Sequence, residues 1–210
     1  MDVRLVLCLL WALLATANGV WSRPSSCYRR LPGDSSREER SCSSGADACI
    51  AVHEENSYGG EVHRGISQLC VLSRLSLEGD LDFEFGGGVY VRIHSEICRE
   101  TNCNTGEIRE RSRLSTLPNG RQCPSCFAMG SPRCLQNDIL HCQGGANQCV
   151  DVVGMLSERG IEIPFAGRGC ATKDVAKIKP GFPLVSGVYI YQIKKIQLSP
   201  APWVETVDGF

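Results

Sequence analysis

The residue types able to do chemistry in this chain are few. They are the pair Cys123-Pro-Ser-Cys126, four histidines (His53, His63, His94 and His141) and an acidic run at Asp80, Asp82 and Glu84. A Cys-x-x-Cys pair is redox-active at the start of a helix beside a βαβ unit, and it binds zinc when a second pair or two histidines stand at ligand spacing. Neither context surrounds Cys123. The histidines are scattered, with no serine or cysteine nucleophile in a strand-to-helix elbow and no His-Glu-x-x-His, so surface or strand-lining roles are expected of them. The acidic run lacks the glycine at the sixth position and the glutamate at the twelfth that a calcium-binding loop requires, and is expected to be a solvated hairpin. Gly86-Gly87-Gly88 is followed by no helix and no Lys-Ser/Thr, which makes it a turn and not a phosphate cradle. No catalytic residue, metal or cofactor is therefore expected.

The chemistry that remains is the disulfide. The chain holds 13 cysteines in 210 residues. Residues 1–19 combine a charged start at Arg4, an apolar run from Leu5 to Ala15 and the small-residue site Ala17-Asn18-Gly19, the pattern of a secretory signal. Cys8 leaves with that segment, and the other twelve divide into six (Cys27, Cys42, Cys49, Cys70, Cys98, Cys103) and six (Cys123, Cys126, Cys134, Cys142, Cys149, Cys170). Even counts in an oxidising compartment imply bridges. The end of the chain, Pro200 to Phe210, has the pattern of neither a transmembrane helix nor a lipid-anchor signal, so a released product without a membrane anchor is expected. The formal net charge of -1 excludes a strongly basic nucleic-acid binder.

The elements that position these cysteines are duplicated. Cys42, Cys49 and Cys70 recur one hundred residues later as Cys142, Cys149 and Cys170, and Gly88-Val-Tyr-Val-Arg-Ile93 recurs from Gly187 with an offset of ninety-nine. This divides the chain into a first domain at 20–104, a linker at 105–122, a second domain at 123–198 and a tail at 199–210. Each unit is too small to rely on burial alone and needs covalent staples. In the first unit, strands are expected from Cys49 to Glu54 and from Val62 to Leu72 around a tip at Asn56 to Gly60, then from Val89 to His94 with period-two alternation. In the second they are expected at Gln148 to Val153, from Ile161 to Cys170 after a tip near Ser157 to Gly160, and from Val188 to Leu198. No segment carries a sustained helical period, and Arg109, Arg111 and Arg113 fall in the polar linker.

Spacing alone leaves fifteen connectivities per six-cysteine unit. The combination of a Cys-x-x-Cys opening, two cysteines separated by six residues, and the closing motif Cys98-Arg-Glu-Thr-Asn-Cys103-Asn104 resembles the three-finger superfamily of the urokinase receptor and lymphocyte antigens. The duplicated arrangement is most similar to the secreted two-domain gamma-type phospholipase A2 inhibitors. The resemblance implies an all-β, small disulfide-rich fold of two tandem three-finger (snake-toxin-like) domains. It implies the pairs Cys27–Cys49, Cys42–Cys70, Cys98–Cys103, Cys123–Cys149, Cys126–Cys134 and Cys142–Cys170. Gln197 stands where the period would place a closing cysteine, so the second domain lacks its C-terminal disulfide clasp, and nonstandard packing of Pro180 to Phe210 is allowed for. A phospholipase itself would carry a His-Asp pair, and here no histidine precedes an aspartate.

The resemblance further implies a non-enzymatic, secreted protein whose partner is an extracellular protein such as a secreted phospholipase A2. A soluble receptor-like or ligand-like recognition module is the alternative. Apolar side chains near the expected tips of the central fingers are the candidate contacts: Tyr58 in the first unit, and Met155, Leu156, Ile161 and Ile163 in the second.

Overall fold

The computed structural model describes residues 23–58, 60–106, 116–158 and 160–204. The expected signal segment and the linker arginines Arg109, Arg111 and Arg113 lie outside the described residues. In the first unit, β1 (Ser26–Arg29) and β2 (Glu38–Ser41) form a small sheet, followed by β3 (Ala48–Tyr58), β4 (Glu61–Val71), β5 (Gly79–Gly86) and β6 (Val89–Cys98). The second unit contributes β7 (Pro118–Met129), β8 (Asp138–Gln143), β9 (Ala146–Glu158), β10 (Ile161–Thr172), β11 (Pro183–Val185) and β12 (Ile190–Pro200). The only helical pieces among the described residues are 3-10 turns at Ser73–Leu75 and Lys173–Lys177. The chain is all-β, as the tandem three-finger reading requires.

The central hairpins run further than the turn residues suggest. Strand β3 is sandwiched between β4 and β6, and its pairing continues to Tyr58 opposite Glu61. Asn56 and Ser57, expected at the tip, are therefore buried strand residues, because hydrogen bonds on both edges outweigh their turn preference.

The third finger of the second unit departs most from expectation. Strand β12 pairs with β9 from Ile190 to Pro200, and Gln197 sits opposite Asp151. Beyond the strand, Ala201 donates its N–H to the Asn147 carbonyl at 3.0 Å and Val204 donates to Gly120 at 2.8 Å. The Arg121 guanidinium lies 4.1 Å from the Trp203 ring centroid. A backbone ladder, continued past the strand, does the closing that a clasp would do, so residues 199–204 are not a loose tail. Its partner strand β7 already starts at Pro118, inside the stretch expected as linker.

Two such units could have stood apart on a linker, but they do not. Strand β10 of the second pairs with β5 of the first at Cys170↔Glu84 and Ala171↔Phe83, giving one antiparallel sheet ordered β11-β12-β9-β10-β5-β6-β3-β4. Gly169 permits this join: a Cβ there would overlap the Glu84 carbonyl and lie 3.0 Å from Phe85 Cα. The inner faces of both halves then enclose one core, with Ile50, Val52, Phe83 and Ile93 from one and Val152, Phe165, Tyr191 and Ile193 from the other. Burial is thus pooled across the duplication, in addition to the covalent staples that units of this size need.

Six disulfides link Cys27–Cys49, Cys42–Cys70 and Cys98–Cys103 in the first unit, and Cys123–Cys149, Cys126–Cys134 and Cys142–Cys170 in the second. On the chain-entropy account each of the longer loops contributes about 3 kcal/mol. Asn104, next to the closing motif, completes the base of the first unit. Its Oδ1 accepts the Tyr28 N–H at 3.0 Å, and its Nδ2 donates to the carbonyls of Tyr28 at 3.0 Å and Ile50 at 2.9 Å. Asn104→Ala is expected to cost about 3 kcal/mol, since the buried Ile50 carbonyl and the half-buried carbonyl and N–H of Tyr28 lose their partner at once. Denaturant unfolding under non-reducing conditions measures the loss.

Candidate functional site: the inter-unit seam and the exposed finger ends

Pairing register decides which side chains the fingers present. In β9 the residues Val152, Gly154 and Leu156 face inward, and Met155 faces the opposite side, opposite Pro164 and Gln192. Leu156 is only 2% exposed and belongs to the core, so it is withdrawn as a contact residue. Met155 and Ile163 are half-buried, and Ile161 is 66% exposed. Ile161, Ile163 and Phe165 alternate along one face of β10, and Met129 of β7 pairs with Phe165 on that same face. The core face of the second unit thus continues outward, past buried Phe165, into an exposed aliphatic end formed by Ile161, Ile163 and Met129.

Tyr58 has a different role from the one expected. Its ring stacks on Phe127 of the second unit with centroids 5.3 Å apart, and its hydroxyl lies 3.2 Å from that of Tyr191. It is a seam residue whose ring is covered by the other unit. The seam centres on Glu54, which no motif marks in the sequence. This carboxylate is 3% exposed and takes bonds from both halves. Asn56 Nδ2 donates to Oε1 at 2.7 Å, Val188 N–H and Tyr189 N–H donate to Oε2 at 2.8 and 3.2 Å, and the Tyr191 hydroxyl donates to Oε1. Gly65 and Gly187 bring the backbones close enough for this: a Cβ on either would overlap the carbonyl of the other. The signal that could have found the seam is a glutamate in phase with Ile50 and Val52 on an inward strand face.

Burial pushes the Tyr191 phenol well above its ordinary 10.0, reinforced by the neighbouring Glu54 carboxylate, and burial raises Tyr58 as well. The sign follows from linkage. Above pH 10 the unfolded phenols release protons that the native ones retain, so the unfolded state binds fewer protons and stability falls as pH rises. Alkaline unfolding is therefore expected to start above about pH 10, with absorbance at 295 nm showing these two tyrosines ionising only together with unfolding. Tyr191→Phe is expected to weaken that alkaline loss.

The chemistry-bearing residues resolve into structure. His94 Nδ1 lies 2.7 Å from Asp80 Oδ1 and its Nε2 lies 3.2 Å from Glu96 Oε1, so both ring nitrogens are engaged by carboxylates and neither is offered to a nucleophile. The sulfurs of Cys27, Cys42 and Cys70, and those of Cys123, Cys142 and Cys170, cluster closely enough to suggest a metal. Each is already bonded in a disulfide and has no thiolate to give. Among the described residues no helix is long and apolar enough to cross a membrane.

Two stretches, residues 25–106 and 119–185, match the family model for the u-PAR/Ly-6 domain. The urokinase plasminogen activator surface receptor of Bos taurus is 38% identical over 77 residues, which cover 35% of this chain and only 22% of the receptor. The phospholipase A2 inhibitor LNF2 of Lachesis muta muta is 25% identical over 167 residues, covering 79% of this chain and 80% of the inhibitor. The inhibitor CNF of Crotalus durissus terrificus matches at the same identity and coverage. The crystal structure of mouse TEX101 aligns with 20% identity and a TM-score of 0.39 over 87% of this chain and 98% of that one.

Proposed function

Because the chain belongs to the u-PAR/Ly-6 domain family, we propose that it is a secreted, non-enzymatic binding protein that inhibits a secreted phospholipase A2 by occupying part of the enzyme's surface. One observation carries the reading: phospholipase A2 inhibitors match along 79% of this chain and 80% of their own length, so the similarity extends across both units. The contact surface in this reading is the aliphatic end at Ile161, Ile163 and Met129. Exposed apolar anchors on a fixed frame favour binding, because the two units share one core and lose little freedom on docking.

Titration of the purified protein against secreted phospholipases A2 on vesicle substrate tests the reading. Stoichiometric inhibition with a complex visible by gel filtration is expected, and Ile161→Asp is expected to weaken it by about 30-fold, as for a hot-spot side chain. Neither inhibition nor complex at stoichiometric excess sinks it.

The match to a urokinase receptor at 38% identity favours a second reading, a soluble receptor-like recognition module. Affinity capture from the secreting tissue separates the two: a cell-surface receptor as the dominant catch supports the second reading, and a lipase supports the first.

A further inference from the structure

Two residues before Glu54 and Gly187 in the chain, Val52 and Val185 line a cleft between the two units. Leu69 and Val71 of β4 and Pro183, Leu184 and Val185 of β11 line a cavity of about 240 Å³. Its floor is core: Ile50, Leu81, Ile93 and Ile178 are all buried. Leu75 and Phe182 also line it and are 56% and 58% exposed, which places two large apolar side chains at its mouth. The cavity is a cleft open to solvent, with a buried apolar floor and an apolar mouth.

The serine hydroxyls in the cavity spend their protons on the chain itself: Ser95 Oγ donates to the Leu77 carbonyl at 2.6 Å and Ser76 Oγ donates to the Leu72 carbonyl at 3.0 Å. The lining is predominantly apolar, and covering it with a hydrocarbon chain removes that surface from water. The charged residues that line it are Arg74, Lys177 and Lys179, all exposed, and no carboxylate does. Lys177 reaches back to Asp174 at 3.1 Å, whereas Arg74 and Lys179 have no ion-pair partner among the described residues.

We propose that this cleft binds a single-chain amphiphile with an anionic head, of the long-chain carboxylate class. The hydrocarbon occupies the floor between Ile93 and Ile178 and leaves past Leu75 and Phe182, and Arg74 and Lys179 hold the carboxylate at the mouth. The inference does not depend on the phospholipase reading, since it rests on the cavity and its rim alone.

Calorimetric titration of the full disulfide-bonded protein with octanoate, decanoate and dodecanoate below their micelle concentrations tests it. Affinity is expected to rise about fourfold per added methylene, the gain from burying one CH2. Dodecyltrimethylammonium, with the same chain and the opposite charge, is expected to bind at least about tenfold more weakly, the difference a close like-charge rim imposes. Arg74→Glu with Lys179→Glu changes only exposed side chains, and the double variant is expected to reverse that preference. Leu184→Trp fills the cavity and is expected to abolish binding of all three acids. Absence of saturable binding overturns the proposal, and so does binding that ignores both head-group charge and the double variant.

Discussion

Gly187→Ala is expected to lower the unfolding free energy by about 3 kcal/mol or more, a larger loss than ordinary overpacking because what the new methyl meets cannot move aside. A Cβ at this position would overlap the Gly65 carbonyl oxygen, with the Gly65 carbonyl carbon at 2.6 Å and the Glu54 nitrogen at 2.7 Å, all of it backbone within a paired sheet. Relief requires the 186–189 segment to lift from β3 and β4, which also breaks the bonds from Val188 and Tyr189 to Glu54. Gly65→Ala meets the mirror-image obstacle and is expected to cost a similar amount. Gly145→Ala is the control, since nothing lies within 4 Å of a Cβ there, and it is expected to stay within about 0.5 kcal/mol of the parent protein. Denaturant midpoints measured with disulfides intact make the comparison, and a Gly187→Ala midpoint equal to that of Gly145→Ala refutes the seam as a tight backbone contact.

Glu54→Leu is expected to cost about 4 kcal/mol, with each buried donor left without a partner contributing about 1–3 kcal/mol. Replacing a buried polar group by an apolar one is tolerated when its partners are replaced too, but here two of the partners are main-chain N–H groups that no substitution removes. The donors of Val188 and Tyr189 would lose their acceptor, the Tyr189 N–H in a buried position and the Val188 N–H in a half-buried one. Glu54→Gln keeps one carbonyl oxygen and turns the other position into a donor, so it is expected to lose roughly half as much. Hydrogen exchange at the amides of Val188 and Tyr189 gives a local readout, and the leucine variant is expected to speed both. Unchanged stability together with slow exchange at both amides contradicts this account. The double variant with Gly187→Ala is expected to cost less than the two losses added, because both open the same seam.

Glu54, Gly65 and Gly187 carry no motif that marks them as partners. Glu54 follows His53 and precedes Glu55 in a strand that looks solvated from there onward, so only its phase with Ile50 and Val52 sets it apart. Its partners in the second unit lie 134, 135 and 137 positions away, and no local pattern announces a contact of that separation. Tyr58 was misplaced for the same reason, since an aromatic near a hairpin tip is a contact candidate until another unit is found to cover it. The confusion over Leu156 was one of phase. Alternation shows that Met155 and Leu156 face opposite ways, but which of them faces in depends on the side taken by the rest of the sheet.

By itself the sequence determined what is local or covalent. Strand periodicity, turn residues, the hundred-residue repeat of Cys42, Cys49 and Cys70, and the resemblance to three-finger proteins were all legible, because they depend on neighbours within a finger or on spacing along one chain. The missing clasp at Gln197 was legible too. Only the tertiary structure decided what replaces it, namely the pairing of β12 with β9 as far as Pro200. Only the tertiary structure decided that the two units are one body, through the join at Gly169 and the seam at Glu54, Gly65 and Gly187. The reason is physical: burial is a property of surfaces brought together, and two units of similar plan can bury their inner faces against a partner, a solvent-filled cleft or each other without any change in period or spacing.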